Sequence, residues 1–200
     1  MTESRKQMRF ATLSDLQALQ QQVLEQAERS VSELSLMCAP DKALHIWTAL
    51  KFERLISDPI FGEKLNFIEY LNQLFTYLVC IYAGIDIMKR WPSTVIVINF
   101  GTQAGFDVAS EDGAIVCECF AATSVKSNEK LKKDLQRVSS SGAQQRLVFF
   151  HTASFNLDEP YIERMKKQYP DVELCFVPFD GMTQLVEIKN IDEVVEYGVL

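Results

Sequence analysis

Asp107 and Glu118 are the residues from which chemistry is most readily built, because they fall on two neighbouring predicted strands in GFDVASEDGAIVCECFA, Gly105 to Ala121. Carboxylates on adjacent strands can share one hard divalent cation such as Mg²⁺, which takes oxygen ligands and keeps several waters. A cation so held lowers the pKa of a bound water and neutralises the oxygens of a phosphodiester, which otherwise repel hydroxide. A lysine-rich stretch, SVKSNEKLKKDLQRVSS from Ser124 to Ser140, follows at once and reads as a helix whose cations can hold phosphate. The pattern points to metal-assisted hydrolysis of a phosphodiester.

The helix can be oriented from its spacing. At about 100° per residue, Leu131, Leu135 and Val138 form its buried face. Lys130, Lys133 and Arg137, joined by Lys126 if the helix starts that early, then group within a sector roughly 60° wide, away from that face. Lys130 lies nearest the core and is the first candidate for a lysine acting on the reacting groups, followed by Lys126 and Lys133. Lys126, Lys133 and Arg137 are candidates for phosphate contacts. A solvated basic face is the alternative reading of the same spacing.

The elements that must position these residues follow from periodicity. Leu13 to Met37 has no Gly or Pro and reads as a long helix, capped by Thr12 or Ser14 and ended before Pro40. A second helix is expected from Asp41 to about Ser57, with Leu44, Trp47, Leu50, Leu55 and Ile56 as its apolar face. A third, from about Gly62 to Ala83 with Gly84 as its stop, is apolar almost all round and so buried on most sides. Its polar residues Asn66, Glu69, Gln73 and Thr76 line up on one side, either as surface or as a seam facing a site. Strands are expected at Thr94–Phe100, Gly105–Ser110 and Ala114–Ala121, then the basic helix over Ser127–Ser139 and a fully apolar strand at Arg146–His151. A helix at Pro160–Tyr169, a strand at Val172–Pro178, an edge strand at Gln184–Ile188 and a helix near Ile191–Tyr197 complete the chain. A hairpin-built half joined to a crossover half implies an α/β fold with a mixed central sheet flanked by helices. Residues 1–60 read as an N-terminal helical extension of an α/β domain over 61–200, the whole forming one unit.

With this order on the page, the segment from Gly62 to Ala153 resembles the PD-(D/E)xK, or restriction endonuclease-like, nuclease superfamily. Its shared core is helix, three-stranded meander, helix, strand, with an acid on the second strand and an acid-x-lysine triplet on the third. Gly105-Phe106-Asp107 matches the first acid, with Phe where the motif has proline. Glu118-Cys119-Phe120 matches the second without its lysine. The resemblance implies a nuclease hydrolysing DNA with Mg²⁺ or Mn²⁺, the metal held by Asp107, Glu118 and the Cys119 carbonyl. Glu69 would match an acid that many members carry on the preceding helix, and Lys130 would stand in for the missing lysine. Phe120 can neither orient a nucleophile nor offset charge, so the same resemblance also accommodates a catalytically degenerate member that binds protein or nucleic acid.

Composition limits the partners. A formal net charge of −7 excludes nucleic-acid binding over the whole surface and leaves a local basic patch. It also suits a protein partner or a homodimer formed through the N-terminal helices. No run reaches eighteen apolar residues and MTESRKQMRF lacks the apolar stretch of a signal peptide, so a cytoplasmic protein without a membrane segment is expected. Five cysteines in largely apolar surroundings read as reduced thiols, and Cys117 and Cys119 lack the second Cys or His pair of a zinc site. His45 and His151, on apolar elements, read as structural. No glycine-rich phosphate loop and no Ser-His-acid spacing is present.

Overall fold

The computed structural model describes residues 6–38, 42–152, 158–179 and 186–187. In chain order the elements are β1 (Gln7–Phe10), α1 (Leu13–Met37), α2 (Ala43–Phe52), β2 (Ile56–Ser57), β3 (Lys64–Leu65), α3 (Phe67–Arg90), β4 (Ile96–Asn99), β5 (Val108–Ser110) and β6 (Ile115–Ala121). A 3₁₀ turn at Ser127–Glu129 leads into α4 (Lys130–Ser139), then β7 (Gln145–His151), α5 (Glu159–Gln168), β8 (Glu173–Phe176) and β9 (Val186–Glu187). Seven strands form one mixed sheet in the order β1-β4-β5-β6-β7-β8-β9, and β2 and β3 pair as a separate hairpin. The half from β1 to β6 is antiparallel, β6, β7 and β8 run parallel, and β9 returns antiparallel.

Strand alternation divides the interior in two. Ile115, Cys117 and Cys119 of β6, with Leu147 and Phe149 of β7, pack towards α1 and α3. Val116, Phe120, Val148 and Phe150 face the other way, towards Leu131, Leu135 and Val138 of α4 and Ile162 and Met165 of α5. Both faces of the parallel half are therefore covered, which is why β7 reads as an uninterrupted apolar run. The molecule is an α/β protein with a mixed sheet flanked by helices.

Four expectations change. The N-terminus contributes a strand as well as helices: β1 pairs with β4, matching Met8 to Ile98. The second helix stops at Phe52, and Ile56 joins the small hairpin instead of a helical face. No residue of α2 is buried; Leu44 and Trp47 are 78% and 67% exposed. α3 begins at a capping box, with the Asn66 side chain accepting from Glu69 N–H, and runs past Gly84 to Arg90, where Trp91-Pro92 ends it. Gly84 is a point of close approach rather than a stop, since a Cβ there would lie 2.6 Å from Ile96 Cδ1 and 2.8 Å from Leu16 Cδ2. Arg90 anchors the far end of α3 to β8 through two hydrogen bonds to Glu173, of 2.8 and 2.6 Å. α3 is long and apolar enough to cross a membrane, and 67% of its most apolar window is buried within the fold. The edge strand is described only at Val186–Glu187, and the helix expected near Ile191–Tyr197 lies outside the described residues.

Candidate functional site

Glu118 stands at the centre of β6 between Val116 and Phe120, so alternation points it at α4, where it is 1% exposed. Asp107 immediately precedes β5, whose pairing with β6 runs only from Val108 opposite Cys117 to Ala109 opposite Val116. Where that ladder gives out, the Asp107 side chain takes over: its Oδ2 accepts a 2.8 Å hydrogen bond from the Cys119 N–H. One carboxylate is thus tied to the residue next to the other. Burial, and after it the Asp107 charge, pushes the Glu118 carboxyl up to about 8.

α4 lays a cation and an acid over this pair. Arg137 Nη1 is 2.9 Å from Glu118 Oε1, its Nη2 donates to the Gly105 carbonyl, and its guanidinium lies over the Phe106 ring. The approach to Glu118 is close but poorly directed for a hydrogen bond, and both Glu118 oxygens lack a donor among the described residues. Lys130 Nζ donates a 2.7 Å bond to Asp134 Oδ1, one helical turn on. Burial disfavours the charged form of Lys130, but the bond and attraction to Asp134, then Asp107 and Glu118, leave its pKa raised overall. Asp134 is itself buried, and desolvation lifts its carboxyl to about 6 against the pull of Lys130.

The sequence candidates therefore divide. Asp107, Glu118, Lys130 and Arg137 gather on the α4 face of the sheet. Glu69 does not join them: it closes the capping box of α3, on the opposite face, and pairs with Arg54 at 3.5 Å. Lys126 turns towards α5, pairing with Asp158 and lying over the Tyr161 ring. Lys133 folds back to donate to the Asn128 carbonyl at 2.9 Å. Phe120, at the motif's lysine position, stacks on Phe150 with ring centres 5.7 Å apart. Asp134 was missed. Its signal lay in the helical wheel, an acid set among Leu131, Leu135 and Val138 one turn after a lysine.

A buried carboxylate with no well-directed hydrogen bond, only the Arg137 charge beside it, is costly, and such a group takes up a proton or a further cation. The donors are oxygens, which suit Mg²⁺ or Mn²⁺. Among the described residues no three His, Cys, Asp or Glu side chains are grouped to hold a metal, so an ion here would draw on one or two carboxylates and complete its shell with backbone carbonyl and water. The thiols behind the strand do not compete for it. Cys117 and Cys119 point to the α3 face, 3.6 Å apart, and burial pushes both upward into the protonated form. Comparison with protein-family models finds no matching family, and comparisons with curated proteins and with solved structures find no match.

Proposed function

We propose that this chain is a metal-dependent, nuclease-like protein of the PD-(D/E)xK type that hydrolyses DNA phosphodiester bonds. The observation that carries the reading is the buried Glu118 carboxylate, without a donor on either oxygen, beside Asp107 at the frayed end of the β5–β6 ladder. The run α3, β4, β5, β6, α4, β7 has the order of that superfamily's core, which supports the same conclusion.

Asp107 and Glu118 would hold Mg²⁺ or Mn²⁺, with Asp107 kept in place by the Cys119 N–H. Bound there, the ion supplies a Lewis acid and a water of lowered pKa. Arg137 offsets the Glu118 charge and, being half-exposed, can turn to an incoming phosphate. Lys130, held by Asp134, keeps a protonated amine beside the carboxylates and is the group placed to offset charge on a phosphodiester.

A second reading has its own support. Phe120 is locked in the aromatic core, and Arg137 already neutralises Glu118, as in a fold that has kept its shape and lost its chemistry. The exposed Leu44, Trp47 and Phe52 of α2 would then serve contact with a protein partner or a second copy. Calorimetric titration of Mn²⁺ into the wild type and Asp107→Ala, followed by incubation with labelled double-stranded DNA, separates the two. Saturable binding lost in Asp107→Ala, with cleavage lost in Asp107→Ala and Lys130→Ala, supports the nuclease. Metal binding without cleavage favours the degenerate member, and no metal binding overturns the site.

A further inference from the structure

We propose a second, separate phosphate site in the groove between α4 and α5, binding the backbone of a single nucleic-acid strand on the far side of α4 from Asp107 and Glu118. This placement rests on the nuclease-type reading for its ligand, but not for its geometry. The groove encloses about 390 Å³ and is lined by Lys126, Lys132 and Arg164, with Tyr161 and the lone acid Glu129 among the remaining residues.

The cations are arranged rather than scattered. The Tyr161 ring is buried, and both Lys126 Nζ and the Arg164 guanidinium lie within 6 Å of its centre, at 5.7 and 5.1 Å. One fixed aromatic ring thereby holds two positive heads at the same opening. Lys132 enters from α4, on the side of that helix turned away from Lys130 and Arg137 by the 3.6-residue period.

The existing partners of these cations are weak competitors. Lys132 is 4.0 Å from Glu129, both largely exposed. Lys126 pairs with Asp158, again at the surface. Exposed pairs of this kind contribute little and yield to a doubly ligated phosphate. Arg164 makes no ion pair with an acid among the described residues. The acidic chain requires a local patch, and five of its 20 Lys and Arg lie between Lys126 and Arg137, two of them, Lys126 and Lys132, in the groove. Across α4 these cations run from the groove to the carboxylates, a route that a strand could follow while one of its bonds lies at Glu118.

The test is fluorescence anisotropy of a labelled 12-nucleotide single-stranded DNA in EDTA, over a salt series, with the wild type, Lys132→Glu/Arg164→Glu and the control Lys89→Glu. All substituted positions of the double variant are at the surface, and the milder Lys132→Gln/Arg164→Gln guards against misfolding, with thermal melts as control. The expected result is roughly tenfold weaker binding by the double variant, with the slope of log K against log salt reduced by about 1.4, while Lys89→Glu, at an exposed lysine outside both sites, binds much as wild type. Binding by the double variant equal to wild type, or no binding by the wild type, overturns the strand site. Competition separates the sources of phosphate: displacement of the DNA only by oligonucleotide supports a strand site, whereas saturation of the groove by inorganic phosphate without any oligonucleotide binding overturns the strand and leaves a small-anion site. Failure of Mn²⁺ binding at Asp107 would remove the nuclease reading and leave this result unchanged.

Discussion

Arg137 Nη1 stands 2.9 Å from Glu118 Oε1, joining a cation that is 47% exposed to a carboxylate that is 1% exposed. The pair makes stability depend on pH. The Glu118 carboxyl is raised from 4.5 to about 8, so the folded state holds a proton that the unfolded chain releases, and its contribution to stability is lost as pH rises from about 4.5 through 8. Arg137→Met removes the countercharge and pushes that carboxyl higher still. The variant should lose about 1–3 kcal/mol relative to wild type at pH 9 and little at pH 5, the figure reduced because the arginine is half in water. Urea denaturation at the two pH values measures it; an equal loss at both would show that Arg137 acts by packing on Phe106 alone.

Metal and proton compete for the same oxygens. If Glu118 is a ligand, each ion bound below pH 8 must displace its proton, so the Mn²⁺ dissociation constant should fall about tenfold per unit well below pH 7, about fivefold between pH 7 and 8, and level off by about pH 9. Asp134, raised to about 6, adds no further dependence between pH 7 and 8. Calorimetry in two buffers of different ionisation enthalpy counts the released proton directly. A dissociation constant that ignores pH would place the ion elsewhere.

Restoring the motif's lysine should fail for a physical reason. Phe120 is buried and stacked on Phe150, and Phe150 in turn meets Phe176 edge-on. Phe120→Lys removes that stacking and sets an ammonium among aromatic rings, and should cost about 3–5 kcal/mol, well beyond the roughly 1–2 kcal/mol of Phe120→Leu. Chemical denaturation of both variants tests this. A stable, metal-binding and cleaving Phe120→Lys would show that the core opens to admit the amine.

The pattern of the strands was legible because its cause is local. Alternation placed Glu118 opposite Cys117 and Cys119, and the fold has it so. The buried face of α4 was legible from Leu131, Leu135 and Val138 for the same reason. Partners were not. Whether Glu69 caps a helix or enters a site depends on which sheet face α3 covers, and no periodicity carries that. Lys133 shares a helical sector with Lys130, yet the Asn128 carbonyl draws it away; Lys126 lies before the helix, which starts only at Lys130 after positive φ at Asn128 and Glu129, and it pairs with Asp158. Strand β1 was missed because four residues beside a charged terminus pair only by virtue of β4. Gly84 misled because glycine serves both as a helix stop and as a gap between packed elements, and only the neighbours tell which.

Those neighbours are Leu16 of α1 and Ile96 of β4, both fully buried, and they make Gly84 the point where α3 is pressed between a helix and the sheet. In an open helix, Gly→Ala stabilises by about 1 kcal/mol through backbone entropy. Here the new methyl would meet Ile96 Cδ1 at 2.6 Å and Leu16 Cδ2 at 2.8 Å, so overpacking of about 1–3 kcal/mol opposes that gain. Gly84→Ala should therefore destabilise by roughly 1 kcal/mol net, and the cause can be isolated with Leu16→Ala. Alone, Leu16→Ala opens a cavity and should cost about 2–5 kcal/mol. In the Gly84→Ala background it also removes one of the two clashes, so the double variant should be more stable than the sum of the single effects by about 1 kcal/mol. Urea denaturation of the four proteins closes the cycle. Additive losses would mean that α3 shifts as a body to admit the methyl, whereas positive coupling would locate the strain at the contact between Gly84 and Leu16.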